Sequence, residues 1–400
     1  AIVGFHVMFP ERDESSGIRV LERLEKNELR DNPQFQSVLA KIRPQLAYDE
    51  IFAHKMKGRA VVLGYTFSKD DPAQVTRKGL LPHTILQKMA FAGRPVYPEH
   101  YTGYTANLEQ LQINSASAGH INPVTDADGI IRRVPMLAEY NGNYYEPLSL
   151  AMVRVLLGSP PVRPIAPDAG FTPKDYPGLE WLQVGSLKIP VDDTASALVP
   201  YRGDRGSFRY YSLVDVLNDR IDAAELKGKI ILIGTTAPGL LDMRATPVNP
   251  VYPGVEIHAN LISGMLEETI KLQPPYVVGA ELLLLLVSGL AMALLLPFLP
   301  PLTSTLTTLL VLVAVLATNV LVFRHGNLVL PLASGVLMIL VLFTLNMMYG
   351  FFIEAHGKRQ ITGLFGQYVP PELVDEMARN PEKFNMAPRA QELSVLFSDV

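Results

Sequence analysis

Hydrophobic patterning divides the chain into two regimes. Through about residue 273, apolar residues come in short β-branched runs bounded by turn residues and separated by amphipathic stretches, an α/β pattern. Ala1-Ile2-Val3-Gly4-Phe5 and Arg59-Ala60-Val61-Val62-Leu63-Gly64 read as buried strands. The segment between them, rich in Leu, Glu, Lys and Arg, reads as helical, which predicts a parallel βαβ unit. Lys229-Ile230-Ile231-Leu232-Ile233-Gly234-Thr235-Thr236 is a further apolar strand ending in a small-residue turn, the place where doubly wound sheets bind ligands. It lacks the spacing of a phosphate loop, because Gly228-Lys229 precedes the strand instead of following it.

The second regime runs from Val277 to Ile353. Three nearly charge-free stretches, 277–299, 302–323 and 328–352, are each long enough to cross a hydrocarbon core of roughly 30 Å. The linkers Pro300-Pro301 and Arg324-His325-Gly326-Asn327 are short, so an up-down-up bundle in a lipid bilayer is expected, with the flanking regions on opposite sides. Lys358 and Arg359 favour a cytoplasmic C-terminus, whereas Arg324 and Lys271 weigh against it. Asn319 and Asn346 fall within these stretches and predict interhelical hydrogen bonds; Glu281, near a helix end, is expected to snorkel to the interface.

A chain of 400 residues suggests two or three units. A net charge of -4 with dispersed acids and bases argues against nucleic acid as a partner. The absence of cysteine excludes disulfides, thiolate metal sites and cysteine nucleophiles. Asp126-Ala127-Asp128-Gly129 has the opening of a calcium loop, but Leu137 stands where the last acidic ligand belongs, so a tight Asx-type turn is expected. Arg132, Arg133, Arg202, Arg205 and Arg244 could form an anion pocket, although scattered arginines are more often solvated or paired with acids. His6, His120 and His258 are too isolated in sequence to predict a metal site, and no catalytic spacing stands out before the membrane.

Several segments in this first region resemble one family. Gly119-His120-Ile121-Asn122, Asp126 through Pro135, Tyr201-Arg202-Gly203, Leu226 through Ala237, Thr246-Pro247 and Pro253-Gly254-Val255-Glu256-Ile257-His258-Ala259-Asn260 resemble, in order, the second type of CHASE domain. That family is a sensory module of bacterial signalling proteins. The resemblance implies an extracytoplasmic α/β sensor domain over residues 1–273, and it names no ligand. Such proteins begin with a signal-anchor helix, whereas Ala1 stands directly in a core strand, so a fragment truncated at its front is expected.

Residues 354–390 read as a cytoplasmic linker and transducer element. Pro370 and Pro371 suit the first turn of a short helix that ends before Asn380-Pro381. Gln391 to Val400 reads as a strand with a polar tip, Leu396-Phe397-Ser398-Asp399-Val400. Phe365-Gly366-Gln367-Tyr368-Val369-Pro370-Pro371-Glu372 together with this strand is similar to the start of class III nucleotide cyclases, whose catalytic domain is α+β. The resemblance implies that Asp399, with the backbone carbonyl of Val400, would hold two divalent ions, Mg or Mn. It further implies a homodimer converting ATP, or GTP, to the cyclic nucleotide, with residues 391–400 opening a catalytic domain truncated at its end.

The expected protein is therefore a multi-pass receptor of the cytoplasmic (inner) membrane: an α/β extracytoplasmic sensor, three transmembrane α-helices, and the start of an α+β cyclase domain. A kinase output from the same sensor is the alternative. So is a non-enzymatic membrane binding protein or transporter. Residues 354–400 contain neither a Gly-rich loop nor a dimerising helix with a suitably placed histidine, since His356 lies too close to the membrane.

Overall fold

The computed structural model describes residues 1–71, 74–91, 96–166, 179–236, 242–274 and 276–365, together with residues 394, 396 and 397. The chain forms two compact units, Ala1–Gly279 with Leu321–Leu330, and Ala280–Val320 with Pro331–Val400.

The first unit is built on a parallel sheet. Strand β1 (Ile2–Phe5) leads through helices α1 (Ile18–Lys26), α2 (Pro33–Leu46) and α3 (Tyr48–Met56) to β2 (Val61–Ser68). Helix α2 starts where the Asn32 side chain accepts the Phe35 amide at 3.0 Å and Pro33 sits in the first turn, a favourable N-terminus on both counts. β1 and β2 run parallel, Val3 beside Val61 and Phe5 beside Leu63, which is the expected βαβ unit. β3 (Ser117–His120) pairs parallel with the other side of β2, and β4 (Ile230–Ile233) pairs parallel with β1. The parallel strand order is thus β4-β1-β2-β3.

Both faces of this sheet are covered, as parallel sheets require. Alternation along β2 sends Val61, Leu63, Tyr65 and Phe67 into one core with Ala53 and Met56 of α3. Val62 enters the other core, shared with α4 (Leu148–Leu156) and α5 (Gly254–Leu266). Two further sheets, not foreseen from the pattern, extend the unit: Leu86–Gln87, Asn143–Tyr145, Ala138–Tyr140 and Glu99–Tyr101 form a mixed one, its last pair parallel, and Val162–Ile165, Trp181–Val184 and Leu187–Pro190 an antiparallel one. Their strands are only two to four residues long, too short for period-two alternation to announce them.

The second unit is helical. Its chain contains most of α6 (Tyr276–Leu295), α7 (Pro301–His325) and α8 (Ala333–Phe365). Each carries a span long and apolar enough to cross a membrane: Tyr276–Phe298, Pro301–His325 and Ala333–Ile353. At most 12% of each apolar window is buried, and Leu283, Leu286 and Leu310 are over 60% exposed, a surface suited to lipid and not to water. α8 begins at Ala333 because Val329 is engaged with Leu272 and Pro331 precedes the first turn. Asn346 donates to Ser304 Oγ at 3.1 Å, joining α8 to α7 as the sequence suggested. Glu281, near the start of α6, accepts a hydrogen bond from Ser334 near the start of α8.

Candidate functional site

In the sheet order β4-β1-β2-β3, the chain builds outward from β1 to β3 and then crosses to β4 on the opposite side of β1. The topological switch point therefore lies between β1 and β4, and ligands of doubly wound sheets bind outside the carboxyl ends of such strands. His6 is the first residue beyond β1, and its amide donates to Ile233 O at 2.7 Å, prolonging the ladder. Gly234 follows β4; a Cβ there would meet Val255 at 2.7 Å and His6 at 3.2 Å, so only glycine lets α5 approach this closely.

Helix α5 closes the site. Gly254 lies against the carboxylate of Asp242, its amide bonded to Asp242 O at 2.9 Å, so a negative side chain faces the positive end of the helix. Asp242 Oδ2 is 3.1 Å from His6 Nδ1, and the His6 ring lies 5.0 Å from that of His258, one turn into α5. Glu256, in the first turn and 2% exposed, accepts from Tyr210 Oη at 2.5 Å and from the Gly206 amide at 3.1 Å. Asn260 accepts the Arg202 amide at 3.0 Å. One helix thus presents a histidine to the switch point and pins the loop Arg202–Tyr210.

Farther along the carboxyl edge, His120 ends β3 in register with Tyr65 of β2. Both ring nitrogens of His120, Tyr65 Oη, Glu146 Oε2, Ser149 Oγ and His258 Nδ1 are buried without hydrogen-bond partners. His6 Nδ1 and Asp242 Oδ2 are buried too, 3.1 Å apart but outside hydrogen-bond geometry. Burial drives His120 down to about 3 and His258 well below the ordinary histidine value; the nearby His6 and His120 push His258 in the same direction. Burial also raises Glu146 to about 7, against the opposing pull of Arg154, which donates to it. The result is a belt of buried imidazoles with unused capacity for protons or water.

Other sequence expectations resolve locally. Asp126 to Gly129 is an Asx-type turn, with Ile130 N donating to Asp128 Oδ1 at 3.1 Å and Gly129 at φ 81°. Arg132 grips Asp126 and Asp128, Arg133 pairs with Asp192 at 2.6 Å, Arg202 with Glu267, and Arg205 donates to Thr236 O at 3.3 Å. Arg244 lies 3.8 Å from Asp242. Arg132 and Arg133 share the Asp126 carboxylate, the others have separate partners, and the five do not form one common pocket.

Sequence separation hid the histidines: 252 positions in the chain divide His6 from His258, yet their rings are neighbours. Among the described residues no group of three His, Asp or Glu side chains is arranged to hold a metal ion. Asp242 and Glu256 carried no signal as candidate site residues. A polar residue immediately after an apolar strand, as at His6, was the available clue. Asp399 and Val400 lie outside the described residues.

The model of the CHASE2 domain matches residues 1–295, most of the chain and the whole of the sheet, belt and α5 described above. Searches of curated proteins and of solved structures return no match. The chain belongs to the CHASE2 family of sensor domains, here joined to three helices of membrane-spanning length.

Proposed function

We propose that this membrane sensor governs a class III nucleotide cyclase on the cytoplasmic side of the inner membrane. The observation that carries this reading is the continuity of α8 from Ala333 to Phe365, delivering the third membrane span into Phe365-Gly366-Gln367-Tyr368-Val369-Pro370-Pro371-Glu372, the transducer-like segment. An unbroken helix transmits rotation or translation without loss at a flexible joint. In this reading an extracytoplasmic stimulus changes the packing of a sensor homodimer, and the helices realign two cyclase half-sites.

Asp399, with the Val400 carbonyl, would hold two Mg or Mn ions. One ion lowers the pKa of the ribose 3'-hydroxyl of ATP, or GTP, and the other holds the triphosphate leaving group. The reading requires catalytic residues beyond Val400. Its test is cyclic AMP and cyclic GMP formation by the full-length protein in membranes, with Mg or Mn, for wild type and Asp399→Ala. Metal-dependent product lost in the variant supports it; no product with either nucleotide overturns it and leaves a sensor with another output.

A further inference from the structure

We propose that the stimulus read by this sensor includes acidity: protonation at the histidine belt releases α5 from the carboxyl edge of the sheet, and α5 passes the movement to the membrane segments. The inference rests on the sensor reading and does not depend on the cyclase.

The groups around His258 favour a two-state response. From β1 it faces His6, itself paired with Asp242 at 3.1 Å, and Asp242 has Arg244 beside it. From β3 it feels His120, which lies in register with Tyr65 of β2. On α5 itself, Glu256 is consumed by Tyr210 and Gly206 and is no acceptor for a histidine proton. Ahead of α4, Glu146 is held by Arg154, and Arg205 is turned to Thr236 O. A proton arriving at His258 therefore finds no counter-charge in the closed packing. Separation of α5 from the sheet rehydrates it and parts it from the His6 ring that packs against it at 5.0 Å. Each histidine that regains its ordinary value near 6.5 makes the released state about tenfold more favourable per pH unit below it.

The connection to the membrane segments is short. α5 ends at Leu266, and Glu268 follows with φ 54°, a left-handed position unusual for a side-chain-bearing residue and suited to a pivot. Lys271 then donates to Asn327 Oδ1 at 2.7 Å and Phe323 O at 3.0 Å, while Leu272 and Val329 exchange backbone bonds with Asn327 and Leu272. Movement of α5 thus pulls on the entry to α6 and on the loop between α7 and α8 together.

Residues 1–400 contain no cysteine, so Lys41→Cys on α2 and Leu266→Cys at the exposed end of α5 give a specific spin-label pair in this chain. Their separation is read by electron–electron resonance in lipid nanodiscs at about pH 7.5 and about pH 5, either side of the ordinary histidine range. The expected result is a reversible change in separation with unaltered far-ultraviolet circular dichroism. His258→Phe, which keeps the ring and removes the proton site, is expected to move the midpoint to acid by about one pH unit or more, or to abolish it. His6→Asn provides a second test should His258→Phe fail to fold. The proposal is overturned by an unchanged separation, by a midpoint that neither variant moves, or by a change that appears only with loss of helical signal. Because the labels report the sensor alone, the outcome is decisive even for a protein without cyclase activity.

Discussion

Lys271 donates to the side-chain oxygen of Asn327 at 2.7 Å and lies 4.7 Å above the ring of Phe323, tying the approach to the first membrane helix to the loop between the second and third. The charge-assisted bond and the backbone pairs beside it form one small clamp. Lys271→Met keeps the aliphatic stem and removes the donor. Hydrogen bonds to charged groups contribute about 1.5–3 kcal/mol, so exchange of the Leu272 and Val329 amides should accelerate about tenfold or more. Hydrogen-exchange mass spectrometry checks this, and unchanged protection of both amides refutes it.

Glu256 supports the loop Arg202–Tyr210 from beneath, and its loss leaves the Gly206 amide and the Tyr210 hydroxyl without their acceptor. Glu256→Ala should release the loop at a cost of about 2–3 kcal/mol. Trypsin cleavage at Arg202, Arg205 and Arg209 under native conditions should rise roughly thirtyfold or more. Cleavage at the wild-type rate would show that the loop is held by other means.

The parallel scaffold was legible because Ile2–Phe5, Val61–Leu63 and Ile230–Ile233 are continuous apolar runs, the signature of strands buried on both faces. The membrane spans were legible for the same reason at greater length. The histidine belt was not, because His6, His120 and His258 meet only through the strand order β4-β1-β2-β3 and the packing of α5, neither of which any local pattern encodes. The partner of Glu281, Ser334, was not legible either, because an acid near a helix end does not name the residue on a neighbouring helix that will donate to it.

Tyr65 supplies a test whose sign is informative. Its ring is fully buried among Phe67 and the residues of the α3 core, while its hydroxyl has no partner. Tyr65→Phe preserves the packing and deletes an unpaired polar group, so stability should rise by about 1 kcal/mol. Thermal denaturation of wild type and variant decides it; a clear loss of stability would mean that the hydroxyl is hydrogen-bonded in solution.

The buried titratable groups also set the pH profile of folding. His120, held at about 3, and His258, held well below 6.5, stay neutral while α5 is packed on the sheet, whereas the unfolded chain protonates both below 6.5. Stability is therefore lost as pH falls through the unfolded value, by up to about 1.4 kcal/mol per unit for each histidine. Glu146 acts in the opposite direction. Its folded value is raised from 4.5 to about 7, so its contribution is present at low pH and fades as pH rises through about 7. Between these limits two histidines outweigh one carboxyl, which places the stability maximum near about pH 6.5 with a fall on the acid side. Trp181, the single tryptophan, reports unfolding by its fluorescence across the range. His120→Phe should roughly halve the net histidine contribution to the acid slope, and a wild-type profile that is flat between about pH 5 and 6.5 would contradict the burial of these rings as neutral groups.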